Sequence, residues 1–315
     1  MPPDYLHNHK DFSDLLSIVA AEKSIAPALI EKDYWIMHCL YGLQQMELKF
    51  ELKGGTSLSK GYGAIKRFSE DVDIRIEPPA AMDVKTGPNH DKPAHCKSRE
   101  DFYDWLAGTI KIDGIAKVDR DKTFDDEKFR SGGIRLHYNS KTVAIPDLKE
   151  GILLEVGFDT VTPNQAQLIS SWTYDYAMSK KVDVIDNRAK DVLCYHPGFT
   201  FVEKLQTIST KFRQQQTTGK FPINFMRHYY DVYCLLNMPE VQKFIGTTDY
   251  LAHKERRFRK DDNLVIAENE AFLLRDKITR EQYAEAYTRT PRLYYAGQPS
   301  FDDILNRIQA WVPKL

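Results

Sequence analysis

The chain has 315 residues, with 44 Lys and Arg against 45 Asp and Glu, and a formal net charge of −1. This balance excludes a strongly basic, histone-like binder and an acidic solvating tail, and an apolar fraction of 42% allows a sizeable core. No run reaches the roughly 18 apolar residues that a membrane span needs, and the N-terminus has no signal-peptide core. The four cysteines form no CxxC pair, so we expect reduced thiols in a cytoplasmic protein with no membrane association.

Helical and strand patterns alternate through the first part of the chain. Apolar residues three and four apart predict helices, and alternating apolar and polar residues predict strands. In chain order we predict helices over 11–23 and 27–45, a strand over 48–53, a short helix over 56–62, a strand over 71–76, a loop over 78–97, a helix over 98–111, strands over 133–138 and 152–158, and a short helix or strand end over 163–170.

From about residue 186 the pattern becomes mostly helical and the charge changes sign. The predicted helices are 199–214, 224–237, 239–246, 263–273, 279–288 and 300–311. Residues 186–315 hold 20 Lys and Arg against 16 Asp and Glu, whereas residues 1–185 hold 24 against 29. We therefore predict two domains, 1–185 and 186–315. The basic excess suits a phosphate-rich ligand, although from charge alone ordinary scatter on solvated helix faces is the favoured interpretation.

Two carboxylates share one face of the predicted strand 71–76. Asp71 and Asp73 are two residues apart, so their side chains lie roughly 6–7 Å from each other along the strand. Mg²⁺ prefers hard oxygen ligands and commonly binds one or two carboxylates together with substrate phosphates. A DxD pair alone is weak evidence, because alternating acidic strands are common.

A glycine pair upstream strengthens this interpretation. Gly54 and Gly55 allow close approach of the backbone at the start of a probable helix, whose free N–H groups attract phosphate, and Ser57 adds a hydroxyl donor. The combination of a phosphate turn and a metal-binding pair suits nucleoside triphosphate chemistry. The segment is not a P-loop, because Ser59 replaces the required glycine before Lys60.

A third metal ligand is expected from a neighbouring strand. Glu155 lies among apolar residues, where an unpaired charge is costly, and it is the best candidate, with Asp159 as the fallback. The alternative is that Glu155 points to solvent from its strand.

These segments together resemble the AbiEii/AbiGii toxin family, a branch of the DNA-polymerase-β-like nucleotidyltransferase superfamily. The motifs that carry the resemblance are IEKDYW at 30–35, GGTSLSK at 54–60, RFSEDVDI at 67–74, FVEKL at 201–205 and RHYYDVYCL at 227–235. The resemblance implies an α+β fold, in which a nucleotidyltransferase-like mixed sheet flanked by helices is followed by a mostly helical C-terminal domain.

The resemblance also implies roles for individual residues. Gly54, Gly55 and Ser57 correspond to the phosphate-holding turn, and Asp71 and Asp73 to the metal-binding carboxylates. Ser69 falls where related toxins contact nucleotide phosphate and where an antitoxin can act.

In the C-terminal domain, Lys204 corresponds to the nucleotide-phosphate lysine and Asp231 to a late catalytic or organising aspartate, so this domain is expected to contribute both to the site. From the helical pattern alone, without the motif, the favoured interpretation of Lys204 is an ordinary exposed lysine on the helix surface. Asp231, in an apolar helix, is equally half of a structural ion pair with Lys204, Arg227 or His228.

The function implied is Mg²⁺- or Mn²⁺-dependent transfer of a nucleoside monophosphate from a nucleoside triphosphate to an acceptor. The resemblance implies a tRNA 3′ end, or another RNA, as that acceptor, and a toxin of a toxin–antitoxin or phage-defence system with a cognate antitoxin. The alternatives are a nucleotidyltransferase with a protein or small-molecule acceptor, and a nucleotide-binding module without catalysis.

Overall fold

A computed structural model describes residues 3–146, 148–222, 224–289 and 294–315. The chain divides into two compact units, of which the first comprises residues 1–62 and 68–195 and the second residues 63–67 and 196–315. The first unit extends beyond residue 185 because the strand Ala189–Tyr195 is part of its sheet.

The first unit is built on a seven-stranded mixed sheet. Its strands are β1 (Phe50–Lys53), β2 (Asp71–Ile76), β3 (Ile115–Asp121), β4 (Ser131–Tyr138), β5 (Ile152–Gly157), β6 (Asn164–Ile169) and β7 (Ala189–Tyr195), in the order β3-β4-β5-β2-β1-β7-β6. The central β2 is antiparallel to β1 and parallel to β5, and β1 is parallel to β7. The predicted α+β class with a mixed sheet is therefore confirmed.

Helices accompany this sheet. They are α1 (Phe12–Lys23), α2 (Pro27–Gln45), the short α3 (Gly54–Thr56), α4 (Pro93–Thr109) and α5 (Trp172–Ser179). Almost the whole of α2 is buried, including the consecutive charged residues Glu31, Lys32 and Asp33. Since a buried charge is costly unless it is paired, each of the three needs a partner inside the unit.

The second unit contains helices and no named strand among its described residues. They are α6 (Pro197–Thr218), α7 (Arg227–Leu235), α8 (Pro239–Phe244), α9 (Thr248–Arg257), α10 (Glu270–Leu273), α11 (Lys277–Thr288) and α12 (Phe301–Trp311). The longest, α6, buries the predicted apolar positions Phe201, Leu205 and Ile208 and ends at Gly219, whose φ of +69° is the left-handed conformation that glycine favours. None of the helices in the described ranges combines the length and apolar character needed to cross a bilayer.

The structure differs from the predicted elements in several places, and among the helices α5 and α9 were not predicted. Strands β3 and β7 were not predicted, because both carry charged residues at exposed or half-exposed positions that hide the alternating pattern. The helix predicted over 263–273 is reduced to α10 and a preceding 3₁₀ turn (Ile266–Glu268). Short apolar runs do not distinguish a helix from a compact turn when tertiary packing supplies the burial.

The segment 78–97, predicted to be a mobile loop, is held by an arginine from α4. The Arg99 guanidinium is fully buried and donates to the carbonyl oxygens of Lys85 and His90 at 2.5 and 2.9 Å, and to that of Lys128 at 2.7 Å. Helix α4 also begins at Pro93, five residues before the predicted start. The segment is therefore held at two of its carbonyl groups by one buried guanidinium, and only its last residues, from Pro93, differ from the predicted loop because they belong to α4.

We expect the first unit to lose stability as the pH falls from 7 to 5.5. Burial, reinforced by the nearby His7, lowers the pKa of His38 to about 4, and its Nδ1 lies 2.8 Å from the Asn187 side-chain nitrogen, which leaves no acceptor there for a second proton. The unfolded chain, with a histidine pKa near 6.5, binds the proton first. His38 therefore contributes stability above pH 6.5 that is lost progressively toward pH 4, about 1 kcal/mol by pH 5.5.

Urea denaturation followed by tryptophan fluorescence at pH 7 and 5.5 checks this expectation. The variant His38→Gln should flatten the pH dependence, whereas His9→Gln, at an exposed histidine, should retain it. Equal pH dependence in the wild type and His38→Gln would contradict the assignment.

Candidate active site

Three carboxylates lie on one face of the central strands. Asp71 and Asp73 alternate on β2 with Val72, Ile74 and Ile76, which are fully buried on the opposite face. The register of the parallel pair β2–β5 places Glu155 directly beside Asp73. Paired residues of neighbouring strands point to the same side of a sheet. The sequence-predicted metal ligands Asp71, Asp73 and Glu155 are thus brought to one face, with Glu155 favoured over Asp159.

The glycine turn packs directly against one of these carboxylates. Gly54 follows β1 with a φ of +70°, and a Cβ atom built on it would lie 1.8 Å from Asp73 Oδ2. The backbone continues as the single turn α3 and then as a π-helical turn (Ser57–Gly61). Thr56 Oγ1 donates to the Asp71 backbone oxygen at 2.6 Å, which ties this turn to β2. Only glycine permits this approach of main chain to carboxylate.

The other predicted phosphate-binding residues differ in accessibility. Gly55 and Ser57 are buried, and Ser57 has no exposed surface. Ser69 is half-buried, two residues before Asp71. Phosphate contact by the Ser57 hydroxyl stays a prediction, and the geometry favours main-chain groups of the turn for that role.

Lysine 149 is a member of this site that the sequence did not reveal. Its Nζ lies 2.8 and 2.9 Å from the two carboxylate oxygens of Asp71, and its backbone N–H donates to Glu70 Oε2 at 3.0 Å. Its carbonyl oxygen accepts from Lys32 Nζ at 2.5 Å. Lys149 lies in a loop without periodicity, so only the tertiary structure could bring it to Asp71.

The three consecutive charged residues of α2, Glu31, Lys32 and Asp33, each have a hydrogen-bond partner outside the helix. Glu31 accepts hydrogen bonds from the loop at residues 140–142, and Asp33 accepts from Lys60 Nζ at 2.6 Å and from the Trp172 backbone N–H at 2.8 Å. Lys60 is thereby a structural partner of Asp33. The partners of all three charged residues are therefore remote in sequence.

A second polar cluster lies within the second unit. The Arg67 guanidinium donates to both oxygens of Asp231, at 2.6 and 2.7 Å, and Lys204 Nζ lies 3.2 Å from Asp231 Oδ2. Burial opposes ionisation of Asp231, but the Arg67 and Lys204 charges outweigh it and hold its pKa below the usual value. Lys204 is one of the predicted partners, whereas Arg67, which is remote in sequence, was missed. A catalytic role for Lys204 and Asp231 stays a prediction.

The donor set on β2 and β5 suits a hard divalent cation. Carboxylate oxygens are the ligands that Mg²⁺ and Mn²⁺ accept, and the Lys149 ammonium shows that Asp71 is placed to hold a positive charge. Within the described ranges, no group of three or more His, Cys, Asp or Glu side chains is arranged to hold a metal ion. The residues present therefore fit a magnesium site in which one or two carboxylates bind the ion together with substrate phosphates.

Comparison with known proteins gives one family. The family described as "Nucleotidyl transferase AbiEii toxin, Type IV TA system" matches residues 38–307. The match begins after the IEKDYW motif and extends to residue 307, well beyond the last motif of the sequence analysis at 227–235. A search of curated proteins finds no match.

Among solved structures, the chain is similar to an antigenic nucleotidyltransferase-like protein from Paracoccidioides brasiliensis. The identity is 11%, the alignment covers 73% of this chain and 94% of that chain, and the TM-score is 0.31.

Proposed function

The chain belongs to the AbiEii nucleotidyl transferase toxin family of type IV toxin–antitoxin systems, and on that premise we propose that it transfers a nucleoside monophosphate from a nucleoside triphosphate to the 3′ end of a tRNA. The family makes the chain a nucleotidyltransferase and implies a cognate antitoxin. Mg²⁺ dependence, the tRNA acceptor, a cytoplasmic location and a role in phage defence belong to the proposal. The observation that carries it is the packing of the Gly54 turn against Asp73, beside Asp71 and Glu155.

The residues of this face have distinct tasks in the proposed reaction. Asp71 and Asp73 would hold the divalent cation together with the substrate phosphates, and Glu155, beside Asp73, would accept the proton of the acceptor hydroxyl. The bound cation supplies charge neutralisation on the phosphates and lowers the pKa of the attacking hydroxyl. The main chain at Gly54 and Gly55 orients the phosphate chain, because it approaches without intervening side chains.

An RNA acceptor is supported by the family resemblance and by the basic excess of residues 186–315. Part of that excess is paired internally: Arg213 Nε lies 3.1 Å from Asp262 and Arg257 Nη2 lies 3.3 Å from Glu203. The charge therefore adds only modest support, and the acceptor has to be identified by labelling.

A labelling assay tests the proposal. We expect label from one of the four NTPs to reach total tRNA in the presence of Mg²⁺. Asp73→Asn should reduce this transfer at least about 100-fold, because it removes a carboxylate from the charge-stabilising set. Asp183→Asn, a matched change at an exposed aspartate of the same unit, should leave it unchanged.

Two outcomes of this assay would contradict the proposal. If Asp73→Asn transferred as much label as the wild type, the proposed site would be wrong. If the protein bound NTP but placed no label on tRNA, the proposal of a tRNA acceptor would be wrong. That result would favour a protein or small-molecule acceptor, or a nucleotide-binding module without catalysis.

We expect Lys149→Gln to strengthen binding of Mn²⁺ by roughly 3- to 10-fold. Its ammonium contacts both oxygens of Asp71, so a cation at that carboxylate must displace it, and the substitution removes the competitor. Titration of free Mn²⁺ by electron paramagnetic resonance measures the change. Lys141→Gln, at an exposed lysine near Lys149 in sequence, is the matched control. Weaker Mn²⁺ binding in Lys149→Gln would show that Lys149 assists the metal instead.

A further inference from the structure

The loop between β4 and β5 brings one lysine to the carboxylate face of the sheet and fixes its main chain there. The Lys149 N–H donates to Glu70 Oε2 at 3.0 Å, and its carbonyl oxygen accepts from Lys32 Nζ at 2.5 Å. The next carbonyl oxygen, that of Glu150, accepts from Arg135 Nη1 at 2.6 Å. Lys32 and Glu70 are buried, and hydrogen bonds in the protein interior are stronger than those in water. The backbone at Lys149 is therefore held by three hydrogen bonds.

The side chain of Lys149 is less enclosed than its backbone. It is 32% exposed, whereas the Asp71 side chain that it contacts is 10% exposed. Its Nζ lies 2.8 and 2.9 Å from the two Asp71 oxygens, and 4.9 Å from the centre of the Phe124 ring in a cation–π contact. An ammonium group has three donors on a flexible four-carbon stem. The side chain is therefore the part of Lys149 that is able to change partner while the main chain stays in place.

A divalent cation at Asp71 would bring phosphate oxygens within reach of this ammonium group. Carboxylate and phosphate oxygens that bind one Mg²⁺ lie at most about 4.2 Å apart, because each lies about 2.1 Å from the ion. The Lys149 ammonium already lies 2.8 Å from the carboxylate, so a short movement takes it to such a phosphate oxygen. There it would make a charge-assisted hydrogen bond of the same kind as the one that it gives up at Asp71.

We propose that Lys149 is a phosphate ligand of this site, whose ammonium group turns from Asp71 to a phosphate of the nucleoside triphosphate when a divalent cation binds that carboxylate. The proposal deepens the proposed function and rests on it for the class of ligand. Lys32 is a positioning residue, because its ammonium holds the Lys149 carbonyl oxygen. Cation and triphosphate then bind cooperatively, because the cation alone costs the pair with Asp71 and the triphosphate offers Lys149 a new partner.

Opposite shifts of two affinities in one variant test the proposal. Lys149→Gln, expected above to bind free Mn²⁺ more tightly, should bind α,β-methylene nucleoside triphosphates at saturating Mn²⁺ about 3- to 10-fold more weakly, because it lacks the contact with phosphate. Calorimetric titration with the adenosine, guanosine, cytidine and uridine analogues measures this affinity. Lys141→Gln, at an exposed lysine of the same loop, should leave both affinities within about twofold of the wild type.

The two signs also separate a lost contact from a damaged fold. A misfolded variant would lose both affinities, so tighter Mn²⁺ binding with weaker nucleotide binding excludes that cause. Shifts of the same sign in Lys149→Gln, or an unchanged affinity for the analogues at saturating Mn²⁺, would overturn the proposal. Failure of all four analogues to bind the wild type would overturn it as well.

A double-mutant cycle tests the positioning role of Lys32. Lys32→Met removes the donor to the Lys149 carbonyl oxygen, so we expect it to weaken analogue binding at saturating Mn²⁺ about fourfold. In the Lys149→Gln background the same substitution should have less than about a twofold effect, because the side chain that Lys32 positions is absent. Equal effects in both backgrounds would show that Lys32 acts independently of Lys149.

These binding measurements can fail independently of the proposed function. Transfer of label to tRNA by the wild type, together with shifts of the same sign in Lys149→Gln, would refute only the role of Lys149. Opposite shifts in a chain that transfers no label would refute the proposed function and leave Lys149 as a phosphate ligand of a nucleotide-binding site.

Discussion

Gly54→Ala is expected to abolish nucleotidyl transfer, with a loss of at least about 100-fold, while lowering stability. The new Cβ would lie 1.8 Å from Asp73 Oδ2, far inside any permitted contact, so either the turn or the carboxylate must move. A displacement of about 1 Å in a catalytic constellation is enough for such a loss. The residue would also be held at a φ of +70°, which costs L-amino acids about 1 kcal/mol.

The variant Gly63→Ala separates the effect of the contact with Asp73 from the effect of a positive φ. Gly63 has a similar φ of +59°, but a Cβ there meets no atom within 4 Å. We expect it to lose about 1 kcal/mol of stability and to keep full transfer activity. Labelling assays and urea denaturation of both variants measure the difference. Equal activity in Gly54→Ala and Gly63→Ala would show that the contact with Asp73 has no part in catalysis.

Arg67→Met is expected to destabilise the second unit by about 3–5 kcal/mol. The substitution removes the bidentate partner of Asp231, a carboxylate with no exposed surface, and leaves Lys204 as its remaining ion-pair partner among the interactions described above. Removing one member of a buried pair strands the other charge in the protein interior. Urea denaturation followed by circular dichroism measures the loss. A change below about 1 kcal/mol would show that the pair is not a structural element.

The double variant Arg67→Met/Asp231→Leu distinguishes a structural aspartate from a catalytic one. Replacing both members by apolar residues should recover part of the stability lost in Arg67→Met, because the fully buried carboxylate is gone and only Lys204, which is slightly exposed, loses an ion-pair partner. If the resemblance assigns Asp231 correctly, the stable double variant will still transfer no label. Recovery of both stability and transfer would make Asp231 purely structural.

Patterning predicted the parts of the fold in which one face of an element is buried and the other is not. The strand β2 and the apolar face of α6 were predicted from period and spacing, and both are as expected. Strand β3 was missed because an edge strand buries little and its charged residues conceal the alternation. Strand β7 was missed because the adjacent exposed residues Lys190 and Asp191 break its alternation, at the point where Asp191 has a φ of +53°.

The candidate site was predictable to the extent that its residues are close in sequence. Gly54, Asp71 and Asp73 lie within 20 residues, and their residue types indicate a phosphate-binding turn and a pair of metal ligands. The partners of Lys149 and Arg67 were not recognised, because a lysine in an irregular loop and an arginine at the start of a motif have many possible partners. Only the fold pairs them with Asp71 and Asp231, respectively.

The sequence by itself determined the α+β class, the family and the carboxylate face of β2, since these depend on period, residue type and short spacing. Tertiary structure alone decided that Glu155 lies beside Asp73, that Gly54 contacts that carboxylate, and that Arg67 pairs with Asp231. The physical reason is that strand register and helix packing are set by burial summed over whole elements. Electrostatic partners across those elements follow from that packing, and no local pattern encodes them.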